Sequence, residues 1–296
     1  MGYTGFVGKS VLKFLERDNE THSNIYLVNR LSKFQDLKTF KFSPSPKLAS
    51  PQWVTQSEFC NSELTIINCA SSRNTNDYND SKEGNYSYPK AVISSILRIR
   101  DVRLTWIQLD SIWKYSKDST PNDSYVYWKN RFAELLLELN AGYQFNLKTL
   151  TLPHLIGPYD NLGRLFPRYF IRILKNRDIS VEAGEDNFYF ADVRDVAQHL
   201  TSCYITRMIG GSITQSIFPF YKMTFRQILA DFIASTHSKS RLLALTSKKS
   251  INPQIPFLDN LPSSSFVPMM LRPTETSFID VAKWLSSLDL IDKLEL

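Results

Sequence analysis

The sequence predicts an α/β protein built on a doubly wound parallel sheet. Short runs of β-branched and aromatic residues alternate with longer helical patterns through the first half of the chain, as in parallel sheets that helices cover on both faces. A glycine-rich turn also runs directly into the first of those helices. The chain has 296 residues, 43% of them hydrophobic, which is enough for one large domain or two smaller ones and excludes global disorder.

The elements of the first half can be assigned in order. Helical patterns cover residues 9–17, 85–102 and 124–139, and strand-like runs cover residues 24–30, 64–71, 104–111 and 147–157. A sheet of this kind places a central strand immediately before the glycine turn, paired to a neighbour on each side. Because the sequence starts on the turn itself, we expect it to be short by about seven residues at its N-terminus, a typical strand length plus a residue or two.

The second half is less regular. Helical patterns cover residues 165–176, 195–206, 225–235 and 274–288, and short strands cover residues 179–183 and 188–193. Thr224 is the expected N-cap of the third of these helices. The stretch from 239 to 265 is rich in Ser, Lys and Pro, which indicates a surface loop.

Composition restricts the classes of function. The net charge of +6 is mild for this length and spread along the chain, so we expect a solvated surface and no nucleic-acid partner. Three cysteines are too few for a disulfide framework and match no zinc spacing, which predicts a cytoplasmic protein without a metal. No apolar run approaches the about 20 residues of a membrane span and no signal peptide is evident, so no membrane association is expected.

The opening glycine turn indicates a nucleotide site. Gly2, Gly5 and Gly8 form a G-x-x-G-x-x-G pattern that enters a helix. Glycines let the backbone approach a pyrophosphate, whose charge the N–H groups and dipole of a helix N-terminus stabilise. A glycine-rich, flexible N-terminus is the alternative, but the helix and strand that follow favour a dinucleotide turn. The predicted cofactor contacts are the three glycines with Phe6 and Val7.

The end of the next strand indicates which dinucleotide binds. Dinucleotide enzymes commonly carry Asp or Glu there, which binds the ribose hydroxyls of NAD. This chain has Asn29 and Arg30, and a guanidinium suits the 2′-phosphate of NADP. A surface arginine at a strand end is the alternative. We therefore predict NADP as the cofactor, with NAD as the second choice.

A Ser–Tyr–Lys set indicates proton-transfer chemistry. Tyr125 and Lys129 lie at i, i+4 at the start of a helix, and Ser111 ends the preceding strand at the edge where open α/β sheets bind ligands. A free phenol, with a pKa of about 10, is a poor catalyst at neutral pH, and a nearby ammonium stabilises the phenolate. Ser111 can donate a hydrogen bond to the reacting oxygen, and Asn85 can steady the lysine through water. A partly buried structural tyrosine is the alternative for Tyr125.

Five segments together resemble the extended short-chain dehydrogenases/reductases, the family of nucleotide-sugar epimerases, dehydratases and reductases. They are GYTGFVG, LDSIWKY, YVYWKNRFAE, LIGPYD and AGEDNFYFADVRDVA, in the family's order, and the resemblance covers about residues 2–200. The spacing within YVYWKNRFAE is most similar to the CDP-abequose synthase-type 4-ketoreductases.

The resemblance implies a Rossmann domain and a smaller substrate domain. The first comprises residues 1–157, with 178–206 returning to it, and the second comprises residues 158–177 and 207–296. A nucleotide-sugar substrate is implied as well. Many relatives form a homodimer through the Tyr/Lys helix and the helix before it. The apolar side chains that permit such a dimer, and that core packing explains equally well, are Phe132, Leu135, Leu136 and Leu139.

The resemblance also assigns roles to individual residues. It implies that Ser111, Tyr125 and Lys129 are catalytic and that Asn85 supports them. Ala70, at the end of a strand-like run, and Lys129 are implied contacts of the bound cofactor.

Two substrate positions depart from the family's pattern. His154 stands where the family often has an asparagine that touches the substrate, and it is either a ligand contact or a strand-end histidine bonded to the backbone. Phe188 stands where the family favours an arginine that holds the substrate diphosphate, which weakens the nucleotide-sugar assignment. The arginines that could supply this charge, each otherwise a solvated surface residue, are Arg164, Arg168, Arg172 and Arg272.

These features predict an NADPH-dependent reductase of a 4-keto-deoxy-sugar nucleotide. Dehydratases of the family have threonine at the Ser111 position, followed by an Asp–Glu pair; Ile112 and Trp113 stand there and transfer no proton, so dehydration is not expected. One alternative is an NAD-dependent nucleotide-sugar 4-epimerase, which would use the same residues without net redox change. The other is a non-catalytic nucleotide-binding module of the same fold.

Overall fold

The computed structural model describes residues 1–2, 5–17, 26–28, 47–49, 60–72, 77–115, 124–181, 186–205, 211–244, 255, 258 and 261–288. Its contacts divide the chain into two compact units. Unit 1 consists of Met1–Lys114, Ser119–Leu152 and Ala197–Ile217. Unit 2 consists of Tyr115–Asp118, Pro153–Val196 and Phe218–Leu296. This division differs from the predicted domains at four places, because it assigns residues 115–118, 153–157 and 178–196 to unit 2 and residues 207–217 to unit 1.

The described part of the chain contains eleven strands and eight α-helices. The strands are β1 Tyr26–Val28, β2 Lys47–Ala49, β3 Glu63–Asn68, β4 Arg103–Ser111, β5 Asn146–Leu152, β6 His154–Ile156, β7 Ile179–Val181, β8 Asn187–Asp192, β9 Ile213–Ile217, β10 Tyr221–Thr224 and β11 Leu242–Ala244. The α-helices are α1 Phe6–Arg17, α2 Tyr78–Lys82, α3 Tyr88–Ile96, α4 Ser124–Tyr143, α5 Leu165–Leu174, α6 Val193–Ile205, α7 Phe225–Thr236 and α8 Thr274–Ser286.

Unit 1 contains the predicted parallel sheet. Its strands run in the order β3-β4-β5-β9, all parallel, and β4 is buried along most of its length between two neighbours. β1 and β2 form a separate parallel pair, which among the described residues is not bonded to β3. The core joins α3 and α4 to the sheet through Ile93, Ile96, Trp106 and Phe132. The parallel α/β class is therefore confirmed.

Proline divides one predicted strand in two. Residues 147–157 were expected to form a single strand, but β5 ends at Leu152 and β6 begins at His154, and the two strands belong to different sheets. Pro153 stands between them and has no N–H to donate to a ladder, so the chain can leave the first sheet there. Strands β9 and β10 were not predicted, and β11 lies within the expected surface loop.

Unit 2 packs three helices around an aromatic core. β8 pairs in parallel with β6 and antiparallel with β10, and β7 pairs with β11. Phe170 of α5 stacks on Phe232 of α7 at 3.8 Å between ring centroids, and Phe278 of α8 contacts both rings. Edge-to-face pairs, such as those that Phe278 makes with both rings, add to the free energy of burial.

Side-chain caps mark the starts of α7 and α2. Thr224 accepts a hydrogen bond from the Gln227 N–H, so the predicted N-cap of α7 is confirmed, and the Gln227 side chain accepts one from the Thr224 N–H, which completes a capping box. The helix expected from residue 85 starts earlier, at α2, where the Asp77 carboxylate caps the first turn. None of the helices in the described part of the chain is both long enough and apolar enough to cross a membrane.

Candidate active site

The glycine turn brings the start of α1 against the end of β3. Gly2 has a φ of +69°, and a Cβ added there would lie 2.5 Å from the Ala70 amide nitrogen, so only glycine fits. The Gly5 N–H donates to the Gly2 carbonyl at 3.1 Å, and α1 begins at the next residue, Phe6. The first turn of α1 carries no acidic residue that would compensate its dipole. The described residues of the turn therefore fit a bound pyrophosphate.

The residue before the turn continues the sheet. The Met1 amino group donates to the Ile67 carbonyl at 2.8 Å, and the Cys69 N–H donates to the Met1 carbonyl at 3.1 Å. This is the bonding pattern that one residue of a parallel strand makes with its neighbour. The glycine turn is thereby anchored to the edge of β3.

Lys129 is held beside Tyr125 and β4. The pair lies on the first turns of α4, and both side chains are buried. The Lys129 ammonium lies 5.6 Å from the centroid of the Tyr125 ring and donates to the Leu109 carbonyl at 2.9 Å. Leu109 precedes Ser111 by two residues at the carboxyl end of β4, so the helix and the strand bring the three predicted catalytic residues to one edge of the sheet. An ammonium has three N–H donors, and the bond to Leu109 uses one of them.

Electrostatics connects Lys129 to the glycine turn. Burial raises the pKa of the Cys69 thiol to about 11, while the charges of the Met1 amino group and of Lys129 act to lower it. Cys69 adjoins Ala70, the residue that a Gly2 side chain would strike. The Lys129 ammonium therefore acts electrostatically on Cys69, the residue next to the one that the glycine turn contacts.

The raised pKa of Cys69 predicts that its thiol reacts slowly with alkylating reagents. At pH 7.5 a thiol with a pKa of about 11 exposes about 100-fold less thiolate than an unperturbed one, and the thiolate is the nucleophile. We expect iodoacetamide to alkylate exposed Cys60 well before Cys69, as peptide mass spectrometry would show, and Cys69 labelling to rise as the pH approaches 11. The guanidinium-unfolded chain is the control. Equal rates for Cys69 in the folded and unfolded chains would contradict this account.

Ser111 keeps its hydroxyl proton available. Its Oγ accepts a hydrogen bond from the Trp113 N–H at 3.3 Å, which leaves the O–H to donate. The neighbouring Asp110 carboxylate accepts from the Ser111 N–H at 2.9 Å and from the Lys114 ammonium at 2.6 Å. This buried ion pair fixes the backbone that carries the serine.

Asn85 holds the loop after β3 directly. It lies in a π-helical turn, Glu83–Ser87, that joins α2 to α3, and such turns are frequent at functional sites. Its side chain accepts a hydrogen bond from the Ser71 hydroxyl at 2.9 Å and donates to the Ser72 and Ser81 carbonyls at 2.7 and 2.8 Å. Its contact with Lys129 through water stays a prediction, whereas its direct contacts position the residues that follow Ala70.

Two buried amides support the lysine, and the sequence did not indicate them. Gln108 of β4 accepts hydrogen bonds from the Asn68 amide at 2.9 Å and from the Trp106 indole at 3.2 Å. Its own amide donates at 2.9 Å to the Leu109 carbonyl, the same oxygen that binds Lys129. Asn68 in turn accepts from the Ala70 N–H at 3.1 Å. A chain of hydrogen bonds thus runs from Ala70, beside the glycine turn, to Lys129. Its only signal in the sequence is the presence of two amide side chains within runs of apolar strand residues.

The three predicted substrate residues lie in unit 2 and contact different partners. Arg164, the N-cap of α5, binds the Asp160 carboxylate at 2.7 Å. The Arg272 N–H donates to the Asp195 carboxylate at 2.8 Å, and its side-chain Nε lies 3.4 Å from the other oxygen of that carboxylate. Half-buried His154 starts β6, and its ring lies 5.2 Å from the ring of Phe188. Substrate binding by Arg164, Arg272 and His154 remains a prediction.

Phe188 belongs to the aromatic core of unit 2. It is buried against Phe166 and Phe225, at 5.6 and 5.3 Å between ring centroids. A charged side chain at this point would have to be desolvated within an apolar cluster, which costs several kcal/mol. Position 188 therefore serves packing and offers no charge to a diphosphate.

A half-buried ion-pair network joins the junction of β8 and α6 to α8 in unit 2. Arg194 donates through its backbone N–H and its guanidinium to the Asp192 carboxylate, at 2.8 and 2.9 Å, and its guanidinium also binds Asp280 of α8. Burial opposes the charge of Arg194, but the bonds to these two aspartates raise its pKa. Burial also raises the pKa of neighbouring Asp195.

The structure does not test the predicted cofactor type or the predicted homodimer. Asn29 and Arg30, the predicted determinants of the cofactor type, lie outside the described residues. In the proposed dimer face, Phe132 and Leu136 are buried in the core of unit 1, and Leu135 and Leu139 pack against it, so core packing accounts for this apolar stripe. The homodimer stays a prediction.

Solved structures with the same fold include several nucleotide-sugar enzymes. UDP-N-acetylglucosamine 4-epimerase of Methanobrevibacter ruminantium is 13% identical with a TM-score of 0.73, covering 97% of this chain and 96% of its own. The NAD-bound dTDP-glucose 4,6-dehydratase DesIV of Streptomyces venezuelae is 12% identical with a TM-score of 0.70, covering 97% and 96%. The enzyme WbmF of Bordetella bronchiseptica, in complex with NAD⁺, is 13% identical with a TM-score of 0.72, covering 99% and 93%.

Sequence comparison adds the family. No curated protein sequence matches the chain. The profile of the NAD dependent epimerase/dehydratase family, in contrast, matches residues 1–203, a span that includes the glycine turn, Ser111, Tyr125 and Lys129. The chain therefore belongs to the NAD dependent epimerase/dehydratase family.

Proposed function

We propose that the chain is an NADPH-dependent reductase of a 4-keto-deoxy-sugar nucleotide, of the CDP-abequose synthase type. The observation that carries the proposal is the position of the Lys129 ammonium, 5.6 Å from the Tyr125 ring centroid and bonded to the Leu109 carbonyl at the carboxyl end of β4. A cation in this position stabilises a phenolate, so Tyr125 can lose and regain a proton during turnover.

Each residue has a separate task in this reaction. Bound NADPH supplies the hydride that reduces the keto carbon. Tyr125 gives its hydroxyl proton to the keto oxygen, and the resulting phenolate is reprotonated from solvent. Ser111 donates a hydrogen bond to the same oxygen and orients the carbonyl, and Lys129 stabilises the phenolate and supplies two further N–H donors to a nicotinamide ribose. The ketone thus gains one hydride and one proton and becomes an alcohol.

The direct test is turnover with a keto-sugar nucleotide. We expect the purified chain to convert a CDP- or dTDP-linked 4-keto-6-deoxyhexose to the 4-hydroxy sugar, with one NADPH oxidised for each product formed. Nicotinamide absorbance and mass spectrometry of the sugar nucleotide measure the two quantities. A 4-hydroxy sugar nucleotide that is interconverted with its 4-epimer, with no net NADPH oxidation, would contradict the reductase.

That outcome would instead support a 4-epimerase, the second candidate. The observation that favours it is the likeness to solved 4-epimerases, among them the UDP-glucuronic acid 4-epimerase of Bacillus cereus, which is 11% identical with a TM-score of 0.72. An epimerase reuses tightly held NAD and gains nothing from a 2′-phosphate, whereas net reduction fits NADPH. Cofactor preference therefore separates the two candidates.

Cofactor preference gives a prediction for Arg30. If its guanidinium binds the 2′-phosphate of NADP, Arg30→Ala is expected to weaken NADPH about 10- to 100-fold, the effect of losing one or two charge-assisted hydrogen bonds, and to leave NADH nearly unchanged. Fluorescence titration of the two reduced cofactors measures this. NADH binding the parent protein more tightly than NADPH would remove the main support for the reductase.

A further inference from the structure

Unit 2 has a cavity beside α5 that two arginines line. A cavity of about 390 Å³ is lined by Gly163, Arg168, Tyr169 and Arg172, and its volume lies within the range of small-molecule sites. Arg168 and Arg172 are one helical turn apart and therefore face the same side of α5. The cavity is concave and carries two guanidinium groups.

These two arginines differ from several other arginines of unit 2, which are paired with aspartates. Arg164, Arg194 and Arg241 each bind an aspartate at 2.5 to 2.7 Å. Within the described part of the chain, neither Arg168 nor Arg172 has a carboxylate within ion-pair distance, and the Nε of Arg172 is fully buried without a hydrogen-bond partner. A buried donor of a charged group without an acceptor is costly, and an anion in the cavity would remove this cost.

The position of Arg168 along α5 supports an anion further. Cations near a helix N-terminus are unfavourable, because that end of the helix dipole is positive. Arg168 lies close to the N-terminus of α5, whose first turn has no acidic residue and whose N-cap supplies no side-chain acceptor. A bound anion would offset the unfavourable interaction of this exposed arginine with the helix dipole.

Tyr169 is rigidly placed at the same cavity. Its ring packs edge-to-face against buried Phe225 at 5.0 Å, so its hydroxyl has a fixed position. A phenol adds a donor or acceptor beside the two guanidinium groups. Guanidinium groups bind phosphate oxygens in pairs, and two of them one helical turn apart match two linked phosphoryl groups better than one.

We propose that this cavity binds the diphosphate group of a small molecule, with Arg168 and Arg172 each holding one phosphoryl group. The diphosphate could belong to the sugar-nucleotide substrate or to a separate phosphorylated compound. The proposal rests on the two guanidinium groups that line the cavity and on the buried, unpartnered Nε of Arg172, and not on the reductase chemistry, because binding is measured without turnover.

Inorganic pyrophosphate is the probe, titrated calorimetrically into the full chain. We expect saturable binding that weakens with added salt and that is at least 10-fold weaker in the Arg168→Gln/Arg172→Gln double variant. The matched control is Arg241→Gln, an exposed arginine of the same unit, which is expected to change the Kd less than twofold. Unchanged unfolding midpoints for both variants exclude a folding effect. Absent binding, or equal binding by the double variant and the parent, would overturn the proposal.

Turnover kinetics then distinguish the two sources. If the diphosphate belongs to the substrate, the double variant raises KM for the sugar nucleotide with little change in kcat, and pyrophosphate competes with the substrate. If it belongs to a separate compound, KM is unchanged and pyrophosphate does not compete. Either result supports the site, and a protein with no turnover at all would still give the binding result.

Discussion

Tyr125→Phe is expected to lower kcat for keto-sugar reduction by about 10²- to 10⁴-fold, the contribution typical of a positioned general acid. The change removes one hydroxyl and keeps the ring that lies 5.6 Å from the Lys129 ammonium, so the packing of α4 should persist. Substrate binding depends on other groups, and KM should therefore change much less than kcat. Steady-state rates over a range of pH measure both, and the residual rate should lose the limb of the pH profile that reports the proton donor.

Tyr127→Phe is the matched control for this prediction. Tyr127 is two residues away on the same helix, and its side chain is largely exposed and rests on Trp128. Its hydroxyl has no task in the proposed reaction, so kcat should stay within about twofold of the parent. Equal kcat in the parent and the Tyr125→Phe protein would exclude proton transfer by Tyr125, whereas NADPH binding without turnover in either protein would support a non-catalytic nucleotide-binding module.

The sequence predicted the core of the site because local patterns carry it. The spacing of Tyr125 and Lys129 on a helix, and the end of a buried strand at Ser111, are both readable from neighbouring residues, and the structure places them at one edge of the sheet. The glycine turn that enters α1 is local in the same way, and Gly2 has the positive φ that favours glycine. Patterns of this kind depend on residues within one or two turns of each other.

The parts that were missed depend on distant residues. Asn68 meets Gln108 because β3 and β4 pair in a register that places the two amides opposite each other, forty positions apart in sequence. No local pattern reports that register. In the same way, Phe188 lies where relatives were expected to bind a diphosphate, and only the packing of Phe166 and Phe225 around it explains why it is apolar.

Asp192→Ala is expected to destabilise unit 2 by about 2 kcal/mol, because Arg194 loses the buried carboxylate that accepts its backbone and guanidinium hydrogen bonds. The Asp192 side chain is 1% exposed and accepts hydrogen bonds from the backbone and guanidinium of Arg194. Without it, Arg194 would retain only Asp280 and would lose its fixed position between the start of α6 and α8. Hydrogen exchange of the α7 and α8 amides, compared with that of β4 in unit 1, measures the loss where it is expected.

Asp178→Ala provides the matched comparison, because it removes an aspartate from an aspartate–arginine pair in the same unit. Its partner Arg241 is 78% exposed, so water can replace the lost carboxylate and little change in protection is expected. The two variants delete the same type of side chain, a 1% exposed carboxylate in one case and a 31% exposed one in the other, so their difference reports how far burial of the carboxylate sets the strength of the pair. Equal loss of protection in both would mean that burial does not set the strength of the Asp192–Arg194 pair, and that α8 is held in place by the aromatic core alone.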